Sequence, residues 1–224
     1  MSARPIVWTI AGTDPSGGAG IQADLKVFHA LGVYGGSAIT AVIAQNTLGV
    51  RAIEPVSPAM MTAQLDCLRE DLPPRAVKIG MLATAHAVRE TARILADVDA
   101  FVVCDPVLAS SSGATFLDAD GRRAMLESLL PRVDLLTPNA VEAALLTGHE
   151  VRGPDDVPAV ARRLRLLGAR AVLLKGGHLR STDARDYLDA DDRLQWIVSP
   201  RWDVTHTHGT GCTLSSAIAA FTAH

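Results

Sequence analysis

Several residues in this chain have the types and spacing that chemistry needs. Near the C-terminus, Thr205-His-Thr-His-Gly-Thr-Gly-Cys212 runs through a glycine turn into an apolar, alanine-rich helix start. Such a turn leaves backbone N–H groups unpaired and pointing forward. With the helix dipole they form an anion site, here built by Gly209, Thr210 and Gly211. Cys212 falls on the first turn, where a thiol pKa is expected to be lowered. An anion cradle beside an activated side chain suggests group transfer from a phosphate donor. A glycine-rich helix start with a buried cysteine fits this stretch alone equally well.

Other candidates lie at the ends of apolar runs. Lys175 closes Ala171-Val-Leu-Leu174 just before two glycines, in a chain with only three lysines. Burying an ammonium is costly without an anion to meet it, so a phosphate partner is expected. Asp105 ends the run from Ala100 to Val107, and Gln45 follows the run from Ser37 to Ala44. A side-chain amide there can pair with a heterocycle through one donor and one acceptor. It can equally bond its own loop. Asn139 and Glu142 have the spacing of a helix capping box, which is their structural alternative.

The glycine-dense loop Gly12–Gly20 carries Asp14 and leads to Asp24. Gly18-Ala-Gly20-Ile-Gln-Ala23 imitates a dinucleotide fingerprint. Several residues separate it from the preceding strand, however, and no acid follows about 20 residues on. A Walker loop would end in Gly-Lys-Ser/Thr, which is absent here. What remains is a ligand loop. Asp24 by itself would read as an exposed helix acid.

These residues need elements to hold them. Buried strands are predicted at Ile6–Ala11, Ser37–Ala44, Ala76–Leu82, Ala100–Val107 and Ala171–Lys175, with a short one entering Asn139. Helices are predicted over Ile21–Leu31, Pro58–Leu72, Thr84–Ala96, Asp118–Leu130 and Asp155–Leu167, with a loop at Ser110–Gly113. Asp183–Val204 alternates as an antiparallel edge hairpin. Cys104 reads as a small structural hydrophobe. Helices alternating with buried strands predict an α/β fold: a mainly parallel sheet with helices on both faces.

The 224 residues are 48% hydrophobic, enough for one large core in a single domain. A net charge of -3, from 21 basic and 24 acidic residues well mixed, gives no nucleic-acid footprint. The three cysteines, Cys67, Cys104 and Cys212, have no disulfide or zinc spacing. No signal peptide or membrane-spanning run is visible, and a cytoplasmic protein is expected.

Seven segments, in order, resemble the hydroxymethylpyrimidine/phosphomethylpyrimidine kinases of thiamine biosynthesis, which have a ribokinase-like fold. They are Ala11–Asp24, Ala44–Thr47, Lys78–Met81, Cys104–Val107, Thr137–Asn139 with Glu142, Leu174–His178 and His208–Cys212. The resemblance implies ATP-dependent phosphorylation of 4-amino-5-hydroxymethyl-2-methylpyrimidine, and then of its monophosphate. It implies that Gly12, Asp24 and Gln45 hold the pyrimidine between Met81 and Val107. It implies Mg²⁺ at Asp105 and Glu142, and ATP phosphates at Asn139, Lys175 and Thr210. Gly209, Thr210 and Gly211 would form the anion hole, with Cys212 as base. Sugar kinases of this fold carry Asp at that last position. The resemblance also implies a homodimer, and family members continue past residue 224 with further helices. Two other readings stay open: a pyridoxine/pyridoxal kinase, and a non-catalytic pyrimidine-binding protein.

Overall fold

Strands buried on both faces read as continuous apolar runs, and such runs build the centre of this molecule. The computed structural model describes residues 4–46, 48–109, 113, 115–177, 183–191, 193–202 and 207–224. The chain begins β1 (Ile6–Ala11), α1 (Gly20–Ala30), β2 (Tyr34–Ile39), β3 (Ala41–Asn46), β4 (Gly49–Pro55), α2 (Pro58–Asp71), β5 (Ala76–Ile79) and α3 (Ala85–Leu95). It continues β6 (Phe101–Cys104), α4 (Ala119–Ala124), β7 (Leu135–Leu136), α5 (Ala140–Thr147), α6 (Val157–Leu166) and β8 (Ala171–Leu174). Then come β9 (Ala184–Ala190), β10 (Arg193–Ser199) and α7 (Thr210–Ala223). The predicted loop at Ser110–Ser112 lies outside the described residues, as do Thr47, His178 and Thr205-His206.

The main sheet runs β10-β9-β8-β7-β6-β5-β1-β2. Strands β8 through β2 are parallel, and β9 and β10 add the expected antiparallel edge. Alternate side chains feed two cores. Trp8, Ile10, Val77 and Cys104 face α2–α6, whereas Val7, Ala76 and Val103 face α1 and α7. Cys104 is the buried hydrophobe its strand position suggested. The helix starts follow their capping residues: Ser57 accepts from Met60 N–H and Thr84 from Ala87 N–H.

Three expectations are corrected. The run Ser37–Ala44 is not one strand. It breaks at Thr40, whose N–H donates to Ala11 O and whose hydroxyl donates to Met81 O. Beyond that break β3 leaves the sheet and pairs with β4 as a separate antiparallel ribbon. The helix Asp118–Leu130 is shorter as an α-helix. After Ala124 it widens into a π turn (Met125–Leu129) and tightens into a 3₁₀ turn at Pro131. Proline has no N–H to continue the ladder. Finally, the strands ending near Leu82 and Val107 stop at Ile79 and Cys104, so Met81, Asp105 and Val107 are loop residues at strand ends.

Candidate active site

The C-terminal ends of β1, β5, β6, β7 and β8 open on one side of the sheet, where ligands bind in parallel α/β folds. A cleft of about 520 Å³ lies there. Every site candidate named from the sequence lines it, except Asp24.

At one end stands the start of α7. Gly209 caps it in the left-handed conformation, at φ 83°. A Cβ at Gly209 would collide with the Gly18 carbonyl oxygen. A Cβ at Gly211 would lie 3.1 Å from both Asp105 Oδ2 and Lys175 Nζ. The bare backbone of this turn therefore abuts the charged centre of the cleft. The Thr210 N–H donates to Thr207 O at 3.3 Å, and the first-turn N–H groups that follow have no carbonyl of the helix to meet, which is what an anion needs.

Lys175 has an anion inside the fold. Its ammonium is mostly buried and pairs with the Asp105 carboxylate at 2.7 Å, with its charged end still in the wall of the cleft. Glu142 sits close by, at the start of α5. Its Oε2 accepts from Asn139 N–H at 2.7 Å, and Asn139 Oδ1 accepts from Glu142 N–H at 2.9 Å, so the capping box is real. Both residues nevertheless line the cleft. Burial, and then the negative charge of Asp105, push the Glu142 carboxyl up to about 7, against the pull of Lys175. An unfolded Glu releases its proton near pH 4.3. Between these values the folded chain binds more protons, so stability falls as pH rises through that window. The melting temperature without ligands should drop between pH 5 and pH 7.5, and drop less in Glu142→Gln. Equal slopes in the two proteins would remove Glu142 as the cause.

Cys212 is also corrected. Burial pushes its thiol up, and the nearby Lys78 charge and the Gly20 N–H bring it only part of the way back. The first turn of α7 does not leave an activated thiolate. Asp24, read as a substrate contact, is fully buried beneath the cleft. Both of its carboxylate oxygens accept from Lys78 Nζ, at 2.8 and 2.9 Å. It also accepts from Thr9 Oγ1 at 2.5 Å and Ser216 Oγ at 2.6 Å. These four residues tie α1 and α7 to β1 and β5, so Asp24 holds the floor of the site and not its ligand. Lys78 stood out in the sequence as one of three lysines, but only its partner 54 residues away explains it.

The other end of the cleft is apolar. Ala41, Ile43 and Met81 form a small core with Val107 and Phe116 against it. A Cβ at Gly12 would meet Ile43 Cδ1 at 2.8 Å and Met81 Cε at 3.0 Å, so a side chain there would push the ends of these two residues aside. Gln45 Nε2 donates to Thr13 O at 3.3 Å, which leaves its second N–H and its Oε1 for a ligand's acceptor and donor. Thr13 was not identified from the sequence. It also donates its N–H to Ala41 O and accepts from Ile43 N–H, clipping β3 to the glycine loop. Thr13 fills an ordinary loop position, and no local signal marks it.

A family model described as phosphomethylpyrimidine kinase matches residues 14–224. A hydroxymethylpyrimidine/phosphomethylpyrimidine kinase from Rhizobium meliloti is 46% identical over 216 residues, covering 96% of this chain and 81% of that protein. The crystal structure of a phosphomethylpyrimidine kinase from Clostridium difficile superposes with a TM-score of 0.86 at 40% identity, covering 98% of this chain and 91% of that one. The pyridoxal kinase from Staphylococcus aureus in complex with ADP gives 0.91 at 31% identity, covering 99% and 81%. On the family match and the identity over nearly its whole length, the chain belongs to the phosphomethylpyrimidine kinase family.

Proposed function

We propose that this kinase transfers the γ-phosphoryl group of ATP to the hydroxymethyl oxygen of 4-amino-5-hydroxymethyl-2-methylpyrimidine, and then a second group to the monophosphate. One observation carries the reading. A single cleft joins an apolar end that carries the Gln45 amide to a charged end built on a helix start. A flat aminopyrimidine suits the first end, stacked between Met81 and Val107 with Gln45 on its amino edge. A polyphosphate suits the second, with Lys175, Asn139 and the Thr210 turn. The folded unit is one ribokinase-like domain.

In the reaction the acceptor oxygen forms a bond to the γ-phosphorus as the bond to the ADP oxygen breaks. Charge spreads over the equatorial oxygens, which the N–H groups from Gly209 to Gly211 would meet. The proton of the alcohol passes to Cys212, which acts through its thiolate fraction. Since burial raises that thiol, turnover should climb with pH through the neutral range. Cys212→Ala should flatten this rise and lower kcat far more than it weakens pyrimidine binding. An unchanged pH limb in Cys212→Ala would remove it as the base.

A divalent cation fits beside Asp105 and Glu142. Two carboxylates face the same cleft, and the Asp105 charge raises the cost of ionising Glu142. No group of three or more His, Cys, Asp or Glu able to hold a metal occurs among the described residues. Magnesium commonly takes one or two carboxylates and completes its shell with phosphate oxygens and water. When bound it would neutralise charge on the β- and γ-phosphates.

The test is ADP release from Mg-ATP with the pyrimidine alcohol, its monophosphate or pyridoxine as acceptor. Release with the first two supports the reading. Release with pyridoxine alone would move the protein to the pyridoxal kinases, whose fold it shares. Tight pyrimidine binding with no release would favour a binding protein. A homodimer is part of the proposal, and a light-scattering mass of one chain would count against it. No described helix is long and apolar enough to cross a membrane.

A further inference from the structure

The glycine loop near the start of the chain and the turn that opens α7 near its end meet beside the cleft, and a side-chain pair joins them. His208 Nε2 lies 2.8 Å from Asp14 Oδ2 across 194 residues of sequence. Asp14 is fully buried and is the hub of the glycine loop. It accepts from Ser16 N–H at 2.9 Å, from Ser16 Oγ at 2.8 and 2.9 Å, and from Ala19 N–H at 2.8 Å. Burial raises its carboxyl, but the His208, Ser16 and Ala19 bonds outweigh that and hold it below the usual carboxylate range. An ionised Asp14 only accepts, so His208 Nε2 carries the hydrogen.

The rest of the contact is close packing on Gly18. A Cβ there would lie 3.0 Å from the imidazole carbon His208 Cδ2, and the Gly209 backbone rests on the Gly18 carbonyl. His208 thus precedes, by one residue, the turn that opens α7, and its side chain is 30% exposed, at the rim of the cleft. Among the described residues, His208 is the ion-pair partner that reaches the loop from this segment, and charge-assisted bonds are about twice as strong as neutral ones.

We propose that His208 is a positioning residue, whose bond to Asp14 docks the Gly209–Gly211 turn on the glycine loop and fixes the distance between acceptor and phosphoryl group. The inference rests on the kinase reading above. Misplacing a reacting group by about 1 Å can cost on the order of 100-fold in rate.

The experiment compares the full chain with His208→Ala and His208→Gln, since glutamine can return an N–H near the position of Nε2. Steady-state rates with Mg-ATP and the pyrimidine alcohol are paired with amide hydrogen exchange on the unliganded proteins. His208→Ala should lose roughly 10- to 100-fold in kcat with a near-normal melting temperature. His208→Gln should recover most of that loss. Amides of Ser16 and Ala19, far away in sequence, should exchange faster in His208→Ala together with those of residues 209–213. Unchanged exchange at Ser16 and Ala19 overturns the docking, whatever the rates. A kcat within twofold of wild type overturns the catalytic consequence. If the wild-type protein releases no ADP, the kinase reading fails instead, and the exchange data alone decide whether the two loops are coupled.

Discussion

Gly209→Ala should lower kcat by at least about 100-fold while leaving most of the fold intact, because the helix start has nowhere to put a methyl group. The residue adopts φ 83°, which L side chains rarely occupy, and its Cβ would collide with a backbone oxygen, not with a flexible side chain. Relief requires the turn to lift off the Gly18 carbonyl. The N–H groups of α7 then move away from the γ-phosphoryl position. Removing one donor of an oxyanion-type site costs about 10²–10³ in kcat, and here the whole turn shifts. ATP and pyrimidine titrations should show smaller changes, since each ligand keeps most of its contacts. A Gly209→Ala enzyme with kcat within fivefold of wild type would show that the turn is not the anion site.

Lys78→Met should be the most destabilising single change in the sheet. It strands the Asp24 carboxylate in a fully buried setting with only the Thr9 and Ser216 hydroxyls for company. Breaking a buried pair on one side costs about 3–5 kcal/mol, a large share of the roughly 5–15 kcal/mol that holds a domain together. The double variant Lys78→Met/Asp24→Asn should regain much of that loss, because a neutral amide keeps an acceptor for one hydroxyl, offers an N–H that the other can accept, and leaves no unpaired charge. Urea unfolding measures both. A single-variant loss below about 1 kcal/mol, on the scale of an exposed pair, would mean that water reaches the site.

Much of this site could be read from residue order because the strands announce their own ends. An apolar run that closes on Asp105, Lys175 or Asn139 marks the edge of a parallel sheet, and the edge is where ligands gather. The helix borders followed in the same way from Thr84 and Asn139. What stayed hidden depends on distant partners or on competing local effects. Ser37–Ala44 is apolar throughout, so nothing in it records the bend at Thr40, which Ala11 and Met81 impose. The β4 strand, Gly49–Pro55, is mostly exposed and lacks an apolar face to betray it. Asp24 looked like a surface acid until Lys78 was placed beneath it. At Cys212 the helix dipole was visible in the sequence, whereas the burial that outweighs it is a property of the packed site.

Because the chain leaves the main sheet at Thr40, the residues that grip the acceptor belong partly to a ribbon hung on the sheet. That ribbon is secured to the glycine loop through Thr13 and carries Gln45 near its tip. Substitutions along it leave Asp105, Lys175 and Gly209 where they are. One wall of the acceptor pocket can therefore vary in sequence apart from the strands that carry the phosphate end, while the other wall, Met81 and Val107, stays tied to them.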